Sequence, residues 1–184
     1  MTIEEEKVLL EESRSRPESF GVLFEHYYPK ILGYVFRRVL VWESARDITS
    51  EVFLKAYQGL WRYRWTGVSV GAWFYRIATN EVNMYFRRGQ YAAVSLQGLT
   101  ERQGFDPIDE SHFEKEKEEA ELEAQAHVDF LRVQSQLREL PVKYQEVIAL
   151  RYFEHKSNKE ISEILGKNEG TVKSLLSRGL GKLK

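Results

Sequence analysis

The stretch WRYRWTGVSVGAWFYR, residues 61 to 76, sets Trp61, Tyr63, Trp65, Trp73, Phe74 and Tyr75 among three arginines in a chain that has four tryptophans in all. Flat rings beside guanidinium groups suit one kind of chemistry, the capture of unpaired bases. A stacked base contributes roughly 1–3 kcal/mol and arginines hold the phosphates. Extracting a base from a duplex costs a few kcal/mol, so one or two such contacts offset it. The alternation in WRYRW also fits a two-faced strand, or core rings with solvated arginines. The pentapeptide alone leaves these readings open, although no partner strand is visible around it.

A second set of candidate residues closes the chain. Val172, Leu175, Leu176, Leu180 and Leu183 make an apolar stripe at helical spacing, which turns Thr171, Lys173, Ser174, Ser177 and Arg178 outward. Ahead of it, Ser157 and Glu160 have capping-box spacing, Ile161, Ile164 and Leu165 form a short apolar face, and Gly166 suits a helix stop. Two short helices joined by a glycine turn, the second one basic, describe a helix-turn-helix. In a major groove the outward face reaches phosphates and base edges, and Asn168 with the free amides of the helix start offers a phosphate seat. An ordinary solvated basic face is the plain alternative.

Other chemistry is poorly supplied. The chain has no cysteine, and its four histidines, at 26, 112, 127 and 155, form no pair at short helical spacing. Neither HxE with CxxC nor GxxxxGK[ST] occurs. No metal, cofactor, small-molecule substrate or catalytic role is therefore expected. Without an 18-residue apolar run or a basic-then-apolar leader, the chain is expected in the cytoplasm.

The elements that must hold these residues are helices. In residues 1–88 the stripes are Phe20, Leu23, Phe24, Tyr27 and Tyr28; Ile31, Leu32, Val35, Phe36 and Val39; Ile48, Val52, Phe53, Ala56, Tyr57 and Leu60; and Phe74, Ile77, Ala78, Val82 and Tyr85. Thr2 and Glu5 predict a capped first helix with Ile3, Val8, Leu9 and Leu10 as its sticky face, and Pro29 predicts a kink or a break. Residues 1–88 carry 13 basic and 11 acidic side chains, 89–130 carry 3 and 11, and 131–184 carry 11 and 6, behind an overall charge of −1. Two modules, 1–88 and 130–184, joined by a flexible acidic linker over 89–129, follow from that segregation and from the turn signals between Gly89 and Pro107. Within the linker, 111–125 fits a polar helix or a disordered tract equally. In the second module a helix is expected from Val142 to Phe153. The all-α reading is thus a small helical bundle tied to a helix-turn-helix domain.

In order and spacing, ARDITSEVFLKAY, the aromatic loop, AWFYRIATNEVNMYFRR, the acidic linker and LRELPVKYQEVIALRYFEHKSNKEISEILGKNEGTVKSLLSR resemble a bacterial sigma factor of the sigma-70 family, extracytoplasmic-function (ECF) group. The resemblance covers about residues 18–88 and 130–184. It implies that Asp47, Ile48, Glu51, Val52, Phe53 and Lys55 dock on the β′ clamp helices of core RNA polymerase. It implies that Tyr63, Arg64, Trp65, Arg76, Asn80, Asn83, Arg87 and Arg88 recognise and melt the minus-ten promoter element. Asn168, Thr171, Lys173, Ser174, Ser177 and Arg178 would then read the minus-thirty-five element, with the β flap as a further polymerase contact. The linker would thread the RNA-exit region, and an anti-sigma factor, often membrane-tethered, would be a partner. Val8 and Leu9 offer a docking face for such an inhibitor, in which case removing residues 1–16 should leave promoter opening intact.

The sequence departs from the family's pattern in places. Ser50 stands where glutamine is common and Met84 where an acid is common, and the end reads SRGLGKLK, in which Gly179 and Gly181 each cost about 1 kcal/mol in a helix and predict fraying. A stand-alone helix-turn-helix regulator explains the last module but leaves the aromatic loop and the acidic face of residues 43–60 without a role.

Overall fold

The structure, a computed structural model, describes residues 1–88, 133 and 135–183. The acidic linker, including 111–125, lies outside the described residues. Every regular element among those described is helical: α1 (Ile3–Glu12), α2 (Pro17–Val39), α3 (Trp42–Gly59), α4 (Val70–Arg87), α5 (Val142–Ile148), one π-helical turn (Ala149–Phe153), α6 (Asn158–Leu165) and α7 (Glu169–Leu180).

Local chemistry sets the ends. Thr2 and Glu5 exchange capping-box bonds of 3.2 and 2.8 Å at the start of α1, and Ser157 and Glu160 repeat the device on α6. Pro17 begins α2, where its missing N–H is no loss. Pro29 neither breaks nor ends α2. The helix runs on through it, because Tyr27 before it and Ile31, Tyr34 and Val35 after it are all buried on one face. Packing of that size offsets the roughly 3 kcal/mol that an interior proline costs.

The first module is a bundle in which Leu23, Ile31 and Val35 of α2 meet Ala45, Val52 and Ala56 of α3 and Phe74, Ala78 and Val82 of α4. Phe74 is the hub, with the rings of Phe20, Tyr27, Phe53 and Trp73 all packed around it. On α1 the expected sticky face is only partly used. Leu10 is buried, but Ile3 and Val8 are exposed, and the residue that enters the core beside Leu10 is Glu6.

In the second module Val147, Leu150, Ile161, Ile164 and Val172 close the core. The single helix expected over Val142–Phe153 is instead α5 followed by the π turn, closed by Glu154 N–H to the Ala149 carbonyl at 3.2 Å. The wider turn, followed by His155 at φ 52°, carries Glu154 against the first module. At the C-terminus α7 does not fray at Gly179. A Cβ there would sit 3.0 Å from Ile148 Cδ1 and 3.2 Å from Tyr144 Cβ, so the glycine lets α7 lie close on α5 and is buried for that reason.

The modules touch. α4 packs on α6, and α2 meets the π turn, so the two apolar cores join.

Candidate nucleic-acid interface

The aromatic loop links α3 to α4. It starts at buried Leu60 and turns at Gly67, whose φ of 81° suits glycine, then ends at Ser69, which caps α4 by accepting from Gly71 N–H at 3.1 Å. The rings in it are not equivalent. Trp61 is 73% exposed. Tyr63 is half-buried and stacks on Trp73, centroids 4.3 Å apart, and Trp65 is half-buried against the core. Trp73 crosses close over Gly59, where a Cβ would stand 3.3 Å from its ring. Burial raises the Tyr63 phenol above its ordinary value, so the ring presents a neutral face. Tyr63 and Trp65, the expected base contacts, thus lie together at one end of α4, with Arg64 exposed between them. Trp61, the first letter of WRYRW, was not among the favoured base contacts, although it is the most exposed ring of the loop.

Along α4, Arg76, Asn80, Asn83 and Arg87 fall at intervals of four, three and four and form one stripe. Arg76 donates through Nε to the Ile164 carbonyl at 3.3 Å and through Nη2 to the Glu163 carbonyl, so it is tied to the end of α6 while remaining exposed. Asn83 donates from Nδ2 to Glu146 of α5 at 2.6 Å. Asn80, with Arg76 and Asn83, lines a cleft of about 340 Å³ whose other wall includes Glu146 and Lys167. Arg87 and Arg88 are exposed at the far end.

A second set of bonds closes the same seam. Glu154, almost fully buried, pairs with Arg37 of α2 and accepts from the Tyr75 hydroxyl at 2.5 Å, while Lys156 Nζ stands 4.8 Å from the Tyr75 ring centre. Burial, then the neighbouring Glu154 charge, pushes the Tyr75 phenol far above its usual value and keeps it a donor. Glu146 and Glu154 were missed from sequence, since a lone glutamate in QEV or FEH looks like any surface acid.

On α3, Asp47 is exposed and Ile48, Glu51 and Lys55 are half-buried. Val52 and Phe53 are a correction. Both are buried in the bundle, at 0% and 3% exposure, so they shape the helix face and cannot themselves meet a partner. The apolar groups available there are instead Leu54 and Tyr57. Lys55 bonds Glu81 of α4 at 2.7 Å and Glu51 at 3.3 Å; the Glu81 bond, foremost, raises its ammonium pKa and ties α3 to α4.

On α7 the outward set is free of the rest of the fold. Thr171, Lys173, Ser177 and Arg178 are exposed and Ser174 half-exposed, while Val172 and Leu175 face inward. The Asn168 side chain is committed as the α7 cap, accepting from Thr171 N–H at 2.8 Å, and Ser174 Oγ donates to the Thr171 carbonyl at 2.9 Å. The cap uses the Asn168 Oδ1, and the residue itself stays exposed.

Comparison with known proteins adds to this geometry. Residues 23–91 match the family model for Sigma-70 region 2 and residues 130–183 that for Sigma-70 region 4. The chain is 32% identical over 171 residues to RNA polymerase sigma factor YlaC of Bacillus subtilis, covering 91% of each protein. It is 29% identical over 163 residues to ECF RNA polymerase sigma factor BldN of Streptomyces coelicolor, covering 89% of this chain but only 58% of that protein. In fold it is similar to CnrH, solved with the cytosolic domain of CnrY, at a TM-score of 0.69 and 19% identity over 97% of this chain and 94% of the other. A sigma factor RpoE solved with the anti-sigma factor NepR from Bartonella quintana is similar at a TM-score of 0.60 and 18% identity, over 90% and 94% of the two chains.

Proposed function

Because the chain belongs to the sigma-70 family of RNA polymerase sigma factors, in the ECF group, we propose that it binds core RNA polymerase, recognises two promoter elements and promotes strand opening. The observation that carries this reading is the aromatic loop joined to the head of α4, continuous with the Arg76, Asn80, Asn83 and Arg87 stripe.

Each step has its residues. The exposed face of α3, with Asp47, Ile48, Glu51 and Lys55, meets the polymerase clamp. α7 enters the major groove of the minus-thirty-five element, where Lys173 and Arg178 neutralise phosphates or bond guanine, and Thr171, Ser174 and Ser177 supply short polar contacts. Tyr63 and Trp65 receive bases displaced from the minus-ten element, Asn80 and Asn83 read their edges, and Arg64, Arg76, Arg87 and Arg88 hold the strand. Catalysis of bond making is left to the polymerase. Arg76 and Asn83 are bonded to the second module, so their full engagement with DNA requires those bonds to break, whereas Asn80 is already exposed. An anti-sigma factor that holds the modules together would act on the same seam. None of the described helices is long and apolar enough to cross a membrane.

The test is reconstitution with sigma-free core polymerase. Gel filtration and transcription from a pool of random promoter fragments should give co-elution and sequence-selective transcripts. Failure to associate, after any co-purified inhibitor has been removed, would turn the reading toward a stand-alone regulator.

A further inference from the structure

Residues 1–22 precede the region 2 match, yet the α1 segment reaches the strand-opening loop at both of its ends. At one end, Arg14, just past α1, donates from Nη2 to the Tyr63 carbonyl at 2.9 Å. At the other, the Glu6 carboxylate accepts from Val70 N–H at 2.8 Å, from Ser69 Oγ at 3.2 Å and from the Tyr27 hydroxyl. Between these anchors lie Arg64, Trp65 and the Gly67 turn.

Glu6 is only 3% exposed, with Glu4 and Glu5 in solvent beside it. A buried carboxylate is tolerated only when its oxygens are well bonded, and here three donors do so. Its seat is the first turn of α4, where backbone amides have no partner in their own helix and negative charge is favoured. Ser69 takes the Gly71 amide and Glu6 takes Val70, so the head of α4 is capped twice, once from another helix. Tyr27 locks the arrangement: its ring lies where a Cβ on residue 71 would be only 2.6 Å away, which requires Gly71.

Resting on the sigma-factor reading, we infer that Glu6 and Arg14 are positioning residues for strand opening, which hold the loop from Tyr63 to Val70 in its base-receiving form before DNA arrives. Ordering that segment in advance removes a conformational cost from the opening step. This reverses the expectation that residues 1–16 are dispensable for opening.

The test uses the full chain with core polymerase on a promoter it transcribes, beside a template opened in advance at the minus-ten element. Arg14→Ala, at a half-exposed site, should fold normally, bind the closed promoter as wild type does, and open it roughly tenfold more slowly, the loss of one charge-assisted bond. Arg14→Lys, which can still donate to the Tyr63 carbonyl, should restore most of the rate, and the opened template should restore all of it. Glu6→Ala should lose more than Glu6→Gln, which still accepts from Val70 N–H. Independently of polymerase, exchange of the Val70 and Gly71 amides should quicken in Glu6→Ala, and acrylamide should quench tryptophan fluorescence more strongly in Arg14→Ala. Wild-type opening rates in a folded Arg14→Ala would overturn the inference. If Glu6→Ala does not fold, Arg14→Ala and its lysine rescue decide it. If the wild-type protein fails to join polymerase, the sigma-factor reading falls, while the exchange and quenching results still decide whether α1 holds the loop.

Discussion

The two faces proposed to meet DNA differ in how they are tied to the rest of the molecule rather than in composition. Lys173, Ser177 and Arg178 of α7 stand in solvent, whereas Arg76 and Asn83 of α4 are bonded to groups of the second module. Both faces are polar stripes on amphipathic helices. What separates them is the seam closed by Glu154 with Arg37 and Tyr75, and by Glu146 with Asn83. The face proposed to receive unpaired bases has Arg76 and Asn83 tied to the second module, while Trp61, Arg64 and Asn80 stay exposed.

The sharpest way to break this contrast is Glu154→Arg, which removes an acceptor from Tyr75 and sets two cations against each other. Losing one member of a largely buried pair costs a few kcal/mol, so binding of single-stranded minus-ten DNA by the free protein should rise about tenfold or more, with duplex binding by α7 unchanged. Fluorescence anisotropy with the two DNA forms reads both, and equal gains on both would mean the seam does not restrain the α4 stripe. Next in size, Arg178→Ala should weaken duplex binding by about 1–3 kcal/mol and relax preference at one base pair if it bonds guanine. A uniform loss over all sequences would reduce it to a phosphate contact.

Trp61→Ala should leave the melting temperature nearly unchanged, since the ring is solvent-exposed, yet slow opening if a base stacks on it, by up to the roughly 1–3 kcal/mol of one stacked ring. Permanganate reactivity of minus-ten thymines measures that directly. Trp65→Ala should lower opening too, with closed-complex binding spared. The smallest effect is on pH. The phenols of Tyr27, Tyr34 and Tyr75 are all raised, chiefly by burial, so the folded state favours their neutral forms. Stability from these groups is complete below the ordinary phenol range near about pH 10 and is lost as pH climbs through the raised values. Thermal melts across that range should decline, and Tyr75→Phe should decline less steeply.

The helices were legible because their signals are local. The capping boxes at Thr2 and Ser157, the Gly166 stop and the three-and-four spacing of apolar residues each act within a few positions, and the structure follows them. Misreadings came from contacts remote in sequence. Pro29 sits inside a helix because packing on α3 and α4 outweighs its local cost. Gly179 reads as a weak point until Tyr144 and Ile148 are seen to occupy the space a side chain would need. Glu6 hides in an acidic first turn, and nothing in EEE marks which carboxylate turns inward. The candidate site was legible as a set of residue types, in the rings of WRYRW and the stripe of α4, but its bonds to the second module were not. Glu146 and Glu154 acquire meaning only once the second module lies across the first.

One titration tests the central claim most directly. The free protein and its complex with core polymerase are each titrated with a duplex minus-thirty-five fragment and a single-stranded minus-ten fragment taken from a promoter selected in the reconstituted assay. The free protein should bind the duplex and barely bind the single strand, and the complex should bind both, selectively for the promoter's own bases. Tight single-strand binding by the free protein, or none by the complex, would contradict the account.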